Sequence, residues 1–310
     1  MLGRLDASWP SAAYQFMDIS CCPMSGQGCD QGGVALVERK TETVYAPVEA
    51  GYLGKRNCPR CRFFINGPAW IGGLQSLANQ MVVEVNAVKT EYHELVEELQ
   101  KLEDEKFDTE RDGKYFNNMK ALNQTTAAME ERGQKLDVLL TDFQHVYRLM
   151  RQCFALLHEE DDEASRPTKQ QLVISGSGLM QMSLEESDSE FRFLANVCKD
   201  AEIYQSASAS RATPKLAQLI DGFAEINGFS PGIFRLTEKQ QLKAVNQIAN
   251  LLLKRFNSDW EVTEKIVQGE LTLADLSSEE ALVPLKSEIA HALRGEANSL
   301  DSLGGLNVIA

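Results

Sequence analysis

The spacing of apolar residues predicts two long helices in the first half of the chain. Apolar residues recur at intervals of three and four over Leu74–Leu102 and again over Met119–Leu157. This heptad spacing puts them on one face of a helix. A charged stretch, residues 104–113, ends in Asp-Gly and separates the two patterns. Neither apolar face is stable alone in water, so we expect an antiparallel helical hairpin, which is a coiled coil.

On the second helix the apolar face is predicted to comprise Met119, Leu122, Thr126, Met129, Gly133, Leu136, Leu140, Phe143, Tyr147, Met150, Phe154 and Leu157. Thr126 and Gly133 are its weakest positions, where the two helices are expected to approach closely or to flex.

Four further amphipathic helices are predicted in the second half of the chain, over Ser189–Tyr204, Pro214–Asn227, Thr237–Phe256 and Ser278–Leu293. Thr237 and Ser278 are suitable N-caps, and Gly228 and Gly295 are suitable C-terminal stops. The fold class is therefore mainly α.

Shifts in composition divide the chain into six segments. They are an N-terminal arm over residues 1–19, a zinc ribbon over 20–68, the coiled-coil hairpin over 69–160, a linker over 161–188, a helical domain over 189–295 and a flexible tail over 296–310. The ribbon segment is rich in Gly, Pro and Cys, with short β-type runs at 34–37 and 43–45.

The clustering of cysteines predicts a metal site in a reducing compartment. Five of the seven cysteines lie between residues 21 and 61. We predict a structural Zn2+ bound by Cys22, Cys29, Cys58 and Cys61, because zinc prefers four soft ligands that are supplied as two pairs on turns. Cys21 is an alternative to Cys22 as the first ligand. We prefer Cys22, because a Pro follows it as a Pro follows Cys58, which suggests two similar turns.

Two other uses of this cluster are an iron-sulfur cluster and free or redox-active thiols. A catalytic zinc is not expected, because four cysteine ligands leave no open position for water and no His lies within the cluster.

A basic island surrounds the second cysteine pair of this acidic protein. The net charge is −14, which argues against a protein that contacts nucleic acid over its whole surface. The residues Lys55, Arg56, Arg60 and Arg62 nevertheless crowd around Cys58 and Cys61, and neither Asp nor Glu occurs from residue 50 to residue 83. We predict that these four bind DNA phosphates. In the alternative interpretation they solvate the ribbon and stabilise its thiolates.

The sequence contains no nucleotide-binding, hydrolase or metalloprotease motif, so no enzyme activity and no small-molecule substrate are predicted. The four His residues are scattered over separate helical stretches, and Cys153 and Cys198 are interpreted as buried small apolar residues. Neither a secretory signal nor an apolar run of membrane-spanning length is found, so we expect a cytoplasmic protein without membrane contact.

Two cysteine-containing stretches resemble the zinc-binding region of the large integrases of the gamma-mobile-trio group. They are Cys22-Pro-Met-Ser-Gly-Gln-Gly-Cys29 with the following Asp-Gln-Gly-Gly, and Asn57-Cys-Pro-Arg-Cys-Arg-Phe-Phe-Ile-Asn-Gly-Pro68. The segments 190–204 and 240–246 also resemble stretches downstream of that region. The resemblance covers most of residues 20–250.

That family consists of tyrosine-recombinase relatives found in mobile genetic elements, and membership implies DNA breakage and joining by a covalent tyrosine. This sequence departs from the pattern, because no Tyr follows His291, and the pair His145 and Arg148 lies within the predicted hairpin. The resemblance therefore implies the non-catalytic C-terminal part of such an integrase, as a separate protein or as a fragment.

The resulting hypothesis is a non-catalytic DNA-associated or assembly module of a recombination system. Its ribbon is expected to contact DNA or a partner, and its coiled coil to contact itself or other recombination proteins. The alternative is a protein-only adaptor or regulator in a mobile-element or phage-defence system, which the net charge favours. A third interpretation is a nuclease or recombinase whose active site has no recognisable motif, and cleavage or joining of DNA by the pure chain would reveal it.

Overall fold

A computed structural model of the chain describes residues 14–38, 43–158, 189–276 and 279–295. Within these residues the protein is mainly helical, as predicted, with eight α-helices and four short strands. The chain divides into two compact units, Met1–Leu179 and Met180–Ala310. The predicted linker over 161–188 and the predicted tail over 296–310 both lie entirely outside the described residues.

The strands of the first unit form two small antiparallel hairpins. Strand β1 (Gln15–Met17) pairs with β2 (Ser20–Cys22), and β3 (Ala35–Glu38) pairs with β4 (Thr43–Tyr45). The β-type runs in the sequence indicated β3 and β4. Strand β1 lies in the segment that was expected to be an arm, and its pairing with β2 joins this part of the segment to the cysteine-rich region.

Two long helices follow, α1 (Ile71–Arg111) and α2 (Met119–His158). Helix α1 stops at the predicted Asp-Gly break, where Gly113 adopts a positive φ of 71°. Polar contacts along α1 and α2 show that the two helices pack antiparallel. Lys135 contacts Glu84 at 2.7 Å, Arg132 contacts Glu91 at 2.8 Å, and Asn118 contacts Glu105 at 3.0 Å. Later positions on α1 therefore meet earlier positions on α2.

The buried part of the helical pair lies at the end formed by the first half of α1 and the second half of α2. Its buried apolar side chains include Leu74, Leu77, Met81 and Val88 on α1, and Leu139, Val146, Met150 and Cys153 on α2. Further along, Leu95, Leu99 and Leu102 are only half-buried, because two helices alone cannot enclose an apolar face.

The predicted apolar face of α2 is wrong at three of the positions that the structure describes. Met119, in the first turn, is 37% exposed. Leu140 is 41% exposed and Tyr147 is 44% exposed, whereas the neighbouring Leu139 and Val146 are buried. The cysteine-rich region also packs on this part of α2, so the buried face of the helix is shifted by one residue from the face that the heptad count selects. Asp142, which is not among the positions that the count selects, lies on that buried face.

The second unit consists of six helices in the described residues. They are α3 (Glu190–Ile203), α4 (Ala212–Ile226), α5 (Glu238–Arg255), α6 (Trp260–Val267), α7 (Leu273–Leu276) and α8 (Glu279–Leu293). The sequence predicted α3, α4, α5 and α8 and missed the shorter α6 and α7. The core of this unit includes Phe191, Leu216, Ile220, Phe223, Ile248, Leu252, Ile266 and Ile289.

The predicted helix ends of this unit are confirmed where the structure describes them. Thr237 forms a capping box with Gln240 at the start of α5. Gly228 and Gly295 have φ values of 77° and 72°, which suit glycine after a helix. The predicted N-cap Ser278 lies outside the described residues.

Among the described residues, no helix combines the length and the apolar character needed to cross a membrane.

Candidate metal centre

The four cysteines predicted as ligands lie on two loops of the first unit. Cys22 ends β2, and Cys29 begins a short 3-10 turn; the two are separated by a tight turn in which Ser25 and Gly26 have positive φ. Cys58 begins a second 3-10 turn, and Cys61 follows that turn directly. The sequence thus folds into two cysteine-bearing turns, which is how proteins usually supply zinc ligands.

The structure brings the four thiols into one electrostatic neighbourhood. Burial raises the pKa of the Cys58 thiol to about 11, and repulsion from Cys61, Cys22 and Cys29 contributes to that rise. The pKa of Cys61 is also raised, chiefly by burial and further by Cys29 and Cys22. Each thiol therefore disfavours ionisation of its neighbours, and a bound cation would remove that repulsion.

Backbone amides are directed at two of these sulfurs. The N–H of Gly26 donates to Cys22 Sγ at 3.4 Å. The amides of Phe63 and Phe64 donate to Cys61, which acts to lower the pKa of that thiol against the larger effect of burial. Such donors favour a thiolate over a thiol. Cys29 Sγ lies 3.4 Å from the carbonyl oxygen of Gly26, a contact that only the protonated thiol can make as a donor.

The donor chemistry of the four cysteines fits a soft metal ion. No group of three or more His, Cys, Asp or Glu side chains in the described part of the chain is arranged to hold a metal ion. Four soft sulfur donors on two turns are the ligand set of a structural zinc.

Cys21 and Cys22 occupy different environments. Cys21 is buried, and its backbone pairs with Phe16 of β1 and with Ile65 through N–H···O bonds of 2.9 and 3.3 Å. The thiol of Cys22, but not that of Cys21, is among the groups that raise the pKa of Cys58 and Cys61. Alternation along the strand places the two side chains on opposite faces, so the geometry favours Cys22 as the member of the cluster.

Arg60, one of the four predicted phosphate contacts, is held inside the protein. Its side chain is 9% exposed; its Nε donates to Asp142 at 2.5 Å and its terminal nitrogen pairs with Glu49 at 2.5 Å. Two carboxylates thus neutralise this guanidinium. The prediction that Arg60 contacts DNA is untested, but a phosphate at this position would have to compete with the ion pair to the buried Asp142.

Arg62 is also engaged within the ribbon segment. Its guanidinium carbon lies 3.3 Å from the ring centre of Tyr45 and 4.2 Å from that of Phe63. Its Nε donates to the carbonyl oxygen of Gln31 at 2.7 Å. These contacts join the segment after the second cysteine pair to β4 and to the turn after Cys29, so Arg62 contributes to packing in the ribbon.

Lys55 and Arg56 are the two exposed members of the basic island. They follow a tight turn in which Gly51 and Gly54 exchange backbone hydrogen bonds of 3.1 and 2.8 Å. Their charges therefore lie on the surface immediately before Cys58.

Sequence reasoning missed Asp142 as a member of this region. The carboxylate accepts hydrogen bonds from the backbone N–H of Tyr52, from Asn57 Nδ2 at 3.0 Å and from Arg60 Nε. A signal for it exists, because Asp142 lies three residues after Leu139 and four before Val146, in the middle of the buried face. A charge at such a position requires a partner.

The remaining cysteines are buried, as predicted. Cys153 accepts a hydrogen bond from Asn66 at 3.4 Å, and burial raises the pKa of its thiol to about 11. Cys198 is fully buried in the second unit, and burial raises the pKa of its thiol to about 12.

Comparison with known proteins adds no relative to this description. No protein-family model matches the chain, and neither a curated protein nor a solved structure matches it significantly.

Proposed function

We propose that the protein is a non-catalytic assembly module, in which a four-cysteine zinc ribbon on an antiparallel coiled coil binds another protein. The partner is a second copy of the chain or another protein of the same system. The motifs that resemble gamma-mobile-trio integrases support a cytoplasmic role in site-specific recombination of a mobile element.

The observation that carries this proposal is a contrast between the basic and the aliphatic side chains of the ribbon. Arg60 and Arg62 are engaged in internal contacts. The hairpin of β3 and β4, with the residue before it, instead exposes four aliphatic side chains, at 75% for Val34, 62% for Leu36, 46% for Val37 and 44% for Val44. Exposed apolar side chains grouped on one short hairpin favour a protein partner over a phosphate backbone.

Zinc has a structural role in this proposal. The two cysteine turns belong to a region whose strands are only three or four residues long. Hairpins of this size are marginally stable without further support. A tetrahedral ion bound by Cys22, Cys29, Cys58 and Cys61 would cross-link the two turns and fix the orientation of the exposed hairpin.

The first test is the metal content of the purified full chain, measured by elemental analysis. We expect one zinc ion per chain. A chain purified with zinc in the medium that contains no metal would contradict the zinc ribbon.

The second test is self-association, measured by sedimentation equilibrium over a wide concentration range. The double variant Val37→Lys with Val44→Lys should weaken self-association. The matched control is Val138→Lys on α2, which should leave self-association unchanged although Val138 is also exposed, at 41%. A chain that stays monomeric and binds DNA with steep salt dependence would contradict the proposal.

Contact with DNA is a second candidate function, which the exposure of Lys55 and Arg56 beside the second cysteine pair favours. In this version the ribbon binds phosphates through those two residues alone. A filter-binding or anisotropy titration at two salt concentrations separates it from the protein-only adaptor, which would show no salt-dependent DNA affinity.

A further inference from the structure

Asp142 is the buried charge that joins α2 to the ribbon. Its side chain is 0% exposed. An unpaired carboxylate in such a position would strongly destabilise the fold, so Asp142 needs partners that neutralise it or donate hydrogen bonds to it. Those partners, Tyr52, Asn57 and Arg60, all belong to the ribbon.

The backbone around Asp142 is built to accept it. Gly51 lies so close that a Cβ at this position would be 2.0 Å from Asp142 Oδ2 and 2.3 Å from Asn57 Nδ2. No side chain fits there without displacing the carboxylate or the amide that donates to it. Glycine at position 51 therefore lets the loop close over Asp142.

The groups that Asp142 holds flank the second cysteine pair. Asn57 immediately precedes Cys58, and Arg60 lies between Cys58 and Cys61. The backbone N–H of Arg60 donates to the carbonyl oxygen of Asn57 at 3.0 Å, and the backbone N–H of Cys61 donates to the carbonyl oxygen of Cys58 at 2.9 Å. The turn that presents both thiols is thus fixed at two points to one carboxylate on α2.

We propose that Asp142 is a positioning residue for the metal site. It orients the turn that carries Cys58 and Cys61 and so makes the zinc affinity of the ribbon depend on α2. The inference rests on the proposed function, since it presupposes that the four cysteines bind zinc. Groups that orient metal ligands without touching the metal typically change metal affinity by about 10–100-fold when they are mutated.

The test is a competition titration of zinc against a chelator, using the full chain and its Asp142→Asn variant. Asn keeps the size of the side chain but removes the charge that Arg60 faces. The matched control is Asp137→Asn, the same change on the same helix at an exposed position. We expect Asp142→Asn to bind zinc about 10–100-fold more weakly, and Asp137→Asn to bind it as the unchanged chain does.

Cobalt provides a readout that general destabilisation alone would not produce. Co2+ bound by four thiolates gives visible absorption bands whose intensity reports tetrahedral geometry. The comparison uses variants whose circular dichroism without metal matches that of the unchanged chain. We expect the Co2+ bands to shift or weaken for Asp142→Asn and to stay unchanged for Asp137→Asn. If Asp142→Asn does not fold, Asp142→Glu retains the charge but moves it by one methylene, and the same titration applies with Asp137→Glu as its control.

The outcomes separate the two proposals. Zinc affinity and Co2+ spectra unchanged in both Asp142 variants would overturn the positioning role while leaving the zinc ribbon intact. No metal binding by the unchanged chain would overturn both, and this result would be seen before any variant is tested.

Discussion

Gly73→Ala offers a sharp test of how the β1–β2 hairpin docks on α1. Gly73 lies in the first turn of that helix, where its backbone packs against Asp18 in the turn between β1 and β2. A Cβ at position 73 would lie 1.9 Å from the carbonyl oxygen of Asp18 and 2.6 Å from its carbonyl carbon. Because both are backbone atoms, no rotamer change can relieve the contact. The β1–β2 hairpin would have to move away from the helix.

Two opposing effects set the size of the change. Alanine is favoured over glycine inside a helix by roughly 0.5–1 kcal/mol. Forcing a group into a packed site costs typically about 1–3 kcal/mol. The upper part of that range applies here because the obstacle is backbone, so we expect Gly73→Ala to reduce the free energy of unfolding by about 1–2 kcal/mol.

Gly133→Ala is the matched control. Gly133 is an interior residue of α2, and its Cβ would lie 3.5 Å from a ring carbon of Tyr92, which is an ordinary van der Waals contact. Only the helix preference then remains, so this variant should be more stable by roughly 0.5–1 kcal/mol. The same substitution is thus expected to have opposite signs at the two sites.

The measurement is urea unfolding followed by circular dichroism, with hydrogen exchange of peptides from the start of α1 to locate the change. We expect a lower midpoint and faster exchange for Gly73→Ala, and a higher midpoint for Gly133→Ala. If Gly73→Ala were as stable as the unchanged chain, the close approach of Asp18 would not constrain the helix, and the docking described above would be incorrect.

Two further results are expected. If the ribbon binds DNA, a plot of log affinity against log salt concentration should have a slope of about −2, since Lys55 and Arg56 are the exposed two of the four predicted contacts. A slope near −4 would show that Arg60 and Arg62 also contact phosphates. The double variant Lys55→Ala with Arg56→Ala should abolish the salt dependence. The second unit should lose stability as pH rises from about 9 towards 12, because burial raises the pKa of Cys198 from 9.0 to about 12 and the folded state favours the neutral thiol. Cys198→Ala should flatten this decline in hydrogen exchange of α3 peptides, and an unchanged decline would assign it to other groups.

Local signals explain why the second unit was largely predictable. Helix α5 was expected over Thr237–Phe256 and spans Glu238–Arg255. The prediction succeeded because the residues of its capping box and of its apolar face all lie within this one stretch of sequence. Gly228 likewise ends α4 through its own backbone conformation. The short helices α6 and α7 were missed because eight and four residues contain too few turns to show a helical period.

Contacts between distant segments explain the errors in the first unit. The heptad count placed Leu140 and Tyr147 on the buried face of α2 because it considered one partner helix only. In the structure that part of α2 is also covered by the ribbon, which contacts it through Asp142 and through Cys153. A helix with two neighbours buries a wider face in a different position, and no pattern within the helix records the second neighbour.

The basic island shows how such a distant contact changes a functional interpretation. Arg60 lies beside two cysteines in a segment without acidic residues, so its neighbours in sequence suggested a free cation for DNA. Its partner, Asp142, lies 82 residues later. An acidic residue on an apolar helix face needs a cation, so the buried position of Asp142 and the internal position of Arg60 have one explanation. Asp142 is therefore the residue whose unexplained position on α2 should have called for a partner within the ribbon, and Arg60 is the one that the fold supplies.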